Sequence, residues 1–155
     1  MPELAAGAPV YGQDFPPSQF DQDWTEQPNL TQFGTFSVGS PEVAVLQVAP
    51  RSGKIFVAIA AGIRNQAASP ERGEVTFHVH RDGPDGILVQ SAFAAWGVKS
   101  NGVQLASQFQ YMGNFSLIED LDPGVAYHFQ VVHRSVAGQG TIDIASRSIM
   151  TIPVP

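Results

Sequence analysis

Apolar residues recur at every second position along much of this chain. From Val125 to His133 the positions Tyr127, Phe129 and Val131 alternate with Ala126, His128 and Gln130, directly after the turn residues Asp122-Pro123-Gly124. A period of two marks a β-strand with one buried face. After Ala137-Gly138-Gln139-Gly140 another strand runs through Ile142 and Ile144. The same parity returns at Met150, Ile152 and Val154, so this strand is expected to bury that whole set and to end inside a sheet. The strand expected beneath this pair is Lys54 to Ile63. There Ile55, Val57, Ile59, Ala61 and Ile63 alternate strictly, and Phe56 is the only large residue on the other face.

The remaining segments carry weaker versions of the pattern. Gln32 to Val38 and Glu42 to Val48 are short runs separated by Gly39-Ser40-Pro41. Val43, Val45 and Gln47 oppose Ala44, Leu46 and Val48, and two largely apolar faces predict a central strand. In Glu74 to Arg81, Val75, Phe77 and Val79 point inward, while Thr76, His78 and His80 form a polar outer face. Asp82-Gly83-Pro84-Asp85-Gly86 has the composition of a tight turn. Ile87 to Val98 is irregular, with Leu88, Phe93 and Trp96. Val103 to Phe109 and Tyr111 to Leu117 predict two more strands, with Asn101-Gly102 as a hairpin signal. About eight or nine short strands at this spacing predict an all-β, antiparallel β-sandwich of jelly-roll type.

Residues 1–32 read differently. Pro2, Pro9, Pro16, Pro17 and Pro28 oppose both helix and strand, yet Tyr11, Phe15, Phe20 and Trp24 are spaced through the same segment. Prolines keep such a chain extended, and disordered tails are poor in aromatics. The segment therefore reads as a docking arm with four aromatic anchors, followed by a sandwich domain over residues 33–155.

Composition narrows the function classes. Charged residues make up 14% of the 155, against roughly 25% in typical soluble domains. So little charge implies a surface partly covered by a partner. The net charge is −6, and the eight Lys and Arg are scattered from Arg51 to Arg147, which argues against nucleic acid. There is no cysteine, hence no disulfide framework or thiolate metal site. No window reaches the roughly 18 apolar residues of a membrane span, and Met1 to Gly7 lacks the charged flank and apolar core of a signal peptide.

Candidate chemistry is sparse. His78 and His80 leave the same strand face and share it with Glu74 and Thr76, but two imidazoles do not make a metal site, and a polar strand surface accounts for them. His128 and His133 have opposite parity. Asp82, Asp85, Glu119, Asp120 and Asp122 fall at turns, and the spacing of a calcium loop is absent. No nucleophile elbow, phosphate-binding glycine loop or zinc-protease helix motif occurs. The expectation is a protein without catalytic residues, metal or cofactor. Exposed aromatics, with Phe93, Trp96 and Tyr111 as candidates, leave open a carbohydrate or host-surface binding module that stacks sugars.

Several stretches resemble a family of small virion proteins encoded by phages of actinobacteria. They are Gly7-Ala8-Pro9-Val10-Tyr11-Gly12-Gln13-Asp14-Phe15-Pro16-Pro17, Pro50-Arg51-Ser52-Gly53-Lys54-Ile55, and Leu121-Asp122-Pro123-Gly124-Val125-Ala126-Tyr127 leading to His133-Arg134. Gly138-Gln139-Gly140-Thr141-Ile142, Arg147 and Ile152-Pro153-Val154-Pro155 are similar too. His78-Val79-His80 and the Trp96 region lie outside the resemblance. It implies a non-enzymatic virion component, made in the host cytoplasm, of the kind labelled minor tail protein or of the β-sandwich kind that decorates capsids or builds fibres. The expected partners are other capsid or tail subunits and copies of the chain itself, a trimer being one candidate.

Overall fold

In the computed structural model, which describes residues 15–31, 33–65, 71–100, 108–136 and 140–155, the alternating segments are antiparallel strands in two sheets. In chain order they are β1 (Gln19–Asp23), β2 (Gln27–Leu30), β3 (Ser37–Val38), β4 (Ala44–Val48), β5 (Ile55–Asn65) and β6 (Gly73–Arg81). Then come β7 (Ile87–Gln90), a 3-10 turn at Ala94–Trp96, β8 (Val98–Lys99), β9 (Gln110–Ile118), β10 (Ala126–Ser135) and β11 (Ile142–Pro153). The first sheet runs β1-β11-β5-β9, with β2 also on β11. In the second, β3 and β4 pair with β10, β10 with β6, and β6 with β7 and β8. The chain changes sheet between β1 and β4, β4 and β5, β5 and β6, β7 and β9, β9 and β10, and β10 and β11. That path is the double Greek key of a jelly roll.

The core follows the period-two pattern. Ile55, Val57, Ile59 and Ile63 meet Val75, Phe77 and Val79 from β6, and Phe129 and Val131 from β10, all buried between the sheets. The turn before β10 is closed by Asp122, whose backbone N–H donates to the Tyr127 hydroxyl at 3.0 Å. The Asp82 to Gly86 turn forms as expected, with Asp82 and Gly83 both at positive φ. β5 lies beside β11 in the first sheet, and β10 lies across the core from it.

Three expectations about faces change. In β11, Ile142 and Ile144 are buried, but the pairing with β5 shifts between Ala145 and Ser148, and Ser146 takes a left-handed φ of 52°. This bulge inserts an extra residue and reverses the parity. Arg147, Ile149 and Thr151 then face the core, and Met150 and Ile152 face out. Second, β4 is not central. Among the described residues it pairs only with β10, and Val43, Val45 and Gln47 are buried while Leu46 and Val48 are exposed. Third, the outer face of β6 is not a solvated surface. Glu74 and Thr76 are fully buried, His78 is half-buried beneath the chain that follows β7, and the half-buried His80 ring lies 3.4 Å from the Gly86 carbonyl.

The segment expected as an arm over residues 1–32 enters the fold early. β1 pairs with Arg147 to Thr151, and β2 with Ile142 and Ile144, so residues 19–30 complete one side of the first sheet. Residues 1–14, with Tyr11, lie outside the described residues. So does most of the strand expected over Val103 to Phe109, including the Asn101-Gly102 signal.

Candidate assembly interface

The first sheet turns one face to the core and one outward, and the outer face is built from the residues that register places in line. Phe20 of β1 stands opposite Met150 of β11, Met150 opposite Ala58 of β5, and Ala58 opposite Phe115 of β9. The next row holds Ile152, Phe56 and Leu117. On the other side lies a row of small residues, Ser148, Ala60 and Gly113, with the exposed, uncharged Gln22 of β1 at its end opposite Ser148, and beyond it Gly62 beside Tyr111. Phe115 is 76% exposed, Tyr111 67%, Phe20 57% and Phe56 44%, and Leu117, Met150 and Ile152 are each more than a third exposed. These rows contain no Asp, Glu, Lys, Arg or His. Charge appears only at the ends of β5, where Lys54 pairs with Glu119 at 2.6 Å and Arg64 pairs with Asp143 and Glu26. Such a continuous apolar sheet face is the feature of the described surface that most needs a partner.

The outer face of the second sheet gathers histidines instead. His128 of β10 stands directly opposite His80 of β6, and His78 is two residues along. The ring centroids of His78 and His80 are 5.9 Å apart, and those of His80 and His128 6.2 Å. Ala92 N–H donates to His78 Nδ1 at 2.8 Å, which fixes that nitrogen as an acceptor of a neutral ring. Burial, reinforced by the neighbouring His80, holds His78 below its usual pKa. Burial also lowers His128, and His80 adds to this; Glu42, 3.4 Å from its Nε2, opposes both. Beside them Arg134 donates to the buried Glu74 at 2.8 Å and stacks on Phe36. Among the described residues no group of three or more His, Cys, Asp or Glu is arranged to hold a metal ion.

The residues singled out in the sequence scatter over this framework. Phe20 joins the apolar face directly. Trp24 is exposed between β1 and β2, and Phe15 is exposed ahead of β1. Trp96 is half-buried and stacks on Phe77 with centroids 5.7 Å apart. Phe93 meets Trp96 edge-on, while Tyr111 belongs to the other sheet, next to Phe109. The three candidate stacking residues therefore do not form one row. Several turn carboxylates are occupied: Asp82 and Asp122 pair with Arg81, and Glu119 with Lys54. Phe56, Phe115, Leu117, Met150 and Ile152 were not singled out as functional. The signal available was the alternation of Phe115 and Leu117 in the last part of β9 with the same parity as Tyr111.

No protein-family model and no curated protein sequence matches the chain. Solved structures do match. The VP2 subviral particle of infectious bursal disease virus gives a TM-score of 0.53 at 12% identity, over 90% of this chain and 33% of that one. The structure of the Gx strain of the same virus gives 0.52 at 12% identity, over 88% and 32%. A weaker likeness, TM-score 0.39 at 12% identity, links 81% of this chain to 77% of the EclA C-terminal domain, a sugar-binding protein. The chain thus spans about a third of the length of the viral capsid proteins it matches. It shares their β-sandwich fold.

Proposed function

We propose that this chain is a non-enzymatic structural subunit of a bacteriophage virion, exposed on the particle as a minor tail, capsid-decoration or fibre protein. The observation that carries the reading is the outer face of the first sheet, uncharged across four strands and apolar over most of its rows. An isolated soluble domain rarely leaves so broad an apolar patch in water, and buried against another subunit it stabilises an assembly. The fold shared with viral capsid proteins and the resemblance to small phage virion proteins both agree with this role. The partners are other head or tail subunits and further copies of the chain. The amino-terminal segment, with Tyr11, Phe15, Phe20 and Trp24, anchors the subunit to its neighbours. Since β1 and β2 belong to the sheet, the reach of this anchor comes from the residues ahead of Gln19. The carbohydrate-binding alternative has less support, because Trp96 is half-buried and engaged with Phe77.

The test is direct. Particles purified by density gradient from a lysate of the virus that encodes the chain should contain its peptides by mass spectrometry. An antibody raised against the full chain should label them in electron micrographs. A protein found only in the unassembled fraction, never on particles, would remove the reading.

A further inference from the structure

We propose that the outer face of the first sheet packs against the same face of a second copy of this chain, forming a two-fold symmetric pair. The inference rests on the structural-subunit reading and names the partner that this surface takes. Area is the first argument. With aromatic side chains covering about 150–250 Å² each, the exposed parts of the apolar rows present on the order of 600–700 Å². A standard stable interface takes about 800 Å² from each partner.

Charge is the second argument. Two copies of a molecule with net charge −6 repel at long range, but contact through this face sets no charge against its own image. The ions at its ends are already paired within the subunit. A strongly basic or acidic partner would find nothing in the rows to pair with.

Shape is the third. The small-residue row Ser148, Ala60 and Gly113 lies between the ridge carrying Phe115 and Met150 and the exposed Tyr111. The face therefore carries both a ridge and a trough. In an isologous contact each copy offers its ridge to the other's trough, and twisted sheets stack in this way about 10 Å apart.

Gly113 supplies a clean probe. A Cβ added there would meet Ile59 O at 3.4 Å and the Ala60 Cβ at 3.8 Å, so a side chain can start from this backbone position without a clash, and Gly113→Leu extends it into the trough. The experiment is sedimentation velocity on the full chain at up to about 100 µM. Wild type is expected at twice the chain mass. Gly113→Leu and Phe115→Asp should each weaken association roughly 30-fold or more, the loss typical of an interface hot spot, with the thermal midpoint of Gly113→Leu unchanged. Leu88→Asp, on the other sheet, should leave the dimer intact. Because the chain has no cysteine, Ala58→Cys gives a single thiol on the face, and it should be shielded from an alkylating reagent at high concentration and reactive on dilution.

A monomeric wild type overturns the proposal. So does a dimer that survives both face substitutions, or one that depends on residues 1–14 and not on Phe115. The two readings fail separately. A monomer that still labels virions sinks the pair and spares the virion role, whereas a dimer through this face that no particle carries does the reverse.

Discussion

Arg147 is the least ordinary side chain of the interior. It is fully buried, and its Nη2 donates to Asp23 at 2.6 Å and to the Pro41 carbonyl at 2.9 Å. Its Nε and Nη1 meet no acceptor among the described residues. Gly39 lies against the guanidinium so closely that a Cβ would stand 1.7 Å from Nη1 and 2.6 Å from Cζ. A buried planar cation held at one end has little freedom to retreat. Gly39→Ala should therefore destabilise the fold by about 1–3 kcal/mol, as overpacking does, read as a lower urea midpoint with an unchanged m-value. Equal stability would mean that the guanidinium has room to move. The same cation acts on His133, which burial first, and Arg147 second, push down to about 4 from its ordinary 6.5. The folded state keeps this ring neutral, so between pH 6.5 and about 4 the unfolded chain binds a proton that the folded chain does not. Stability is thus complete above pH 6.5 and is lost as pH falls to about 4, by roughly 3 kcal/mol in all. His78 and His128 shift in the same direction. The discriminating measurement is consequently the difference in pH slope between wild type and His133→Gln, which should be shallower over that window. Parallel slopes would show that His133 is not the group responsible.

At the scale of elements, β11 explains both what could be read in advance and what could not. Its neighbours β1 and β2 cover one edge from Ile142 to Thr151, and β1 brings Asp23 to Arg147. Removing residues 1–32 would strip both strands, open that edge and leave a buried guanidinium without its carboxylate, a loss of about 3–5 kcal/mol from the ion pair alone. That truncation should give an unfolded or aggregating product. Removal of residues 1–14 keeps both strands and should melt within a few degrees of the full chain, a contrast that circular dichroism can resolve. A folded, stable 33–155 fragment would mean that β1 and β2 are accessories. The jelly roll itself was legible because strands β5, β6 and β10 announce their buried faces locally, in strict alternation. Nothing in Ala145-Ser146-Arg147-Ser148 announces the bulge, and one extra residue there moved Met150 and Ile152 from the expected core to the outer face. β4 is apolar on both sides for a reason outside its own sequence, since only its place at the edge shows that Leu46 and Val48 stay exposed. The pairing of His128 with His80 joins residues far apart in the chain, so spacing within one strand could not reveal it. The apolar outer face was hidden in the same way, because it is a property of register across four strands.

Over the whole molecule, the few charges are arranged to leave that face alone. Lys54, Arg64, Arg81, Arg134 and Arg147 each have a carboxylate within the subunit. Low charge content thus goes with internal pairing, and a net charge of −6 remains for long-range repulsion between copies. These facts fix the sign of the response to salt. Apolar contact does not weaken when the Debye length contracts from about 10 Å near 0.1 M to several ångströms near 0.5 M, whereas repulsion between like-charged copies does. Raising sodium chloride across that range should leave the association of the full chain unchanged or tighten it severalfold in sedimentation equilibrium. Dissociation on adding salt would place the contact among the ion pairs at the ends of β5 and not on the rows between them.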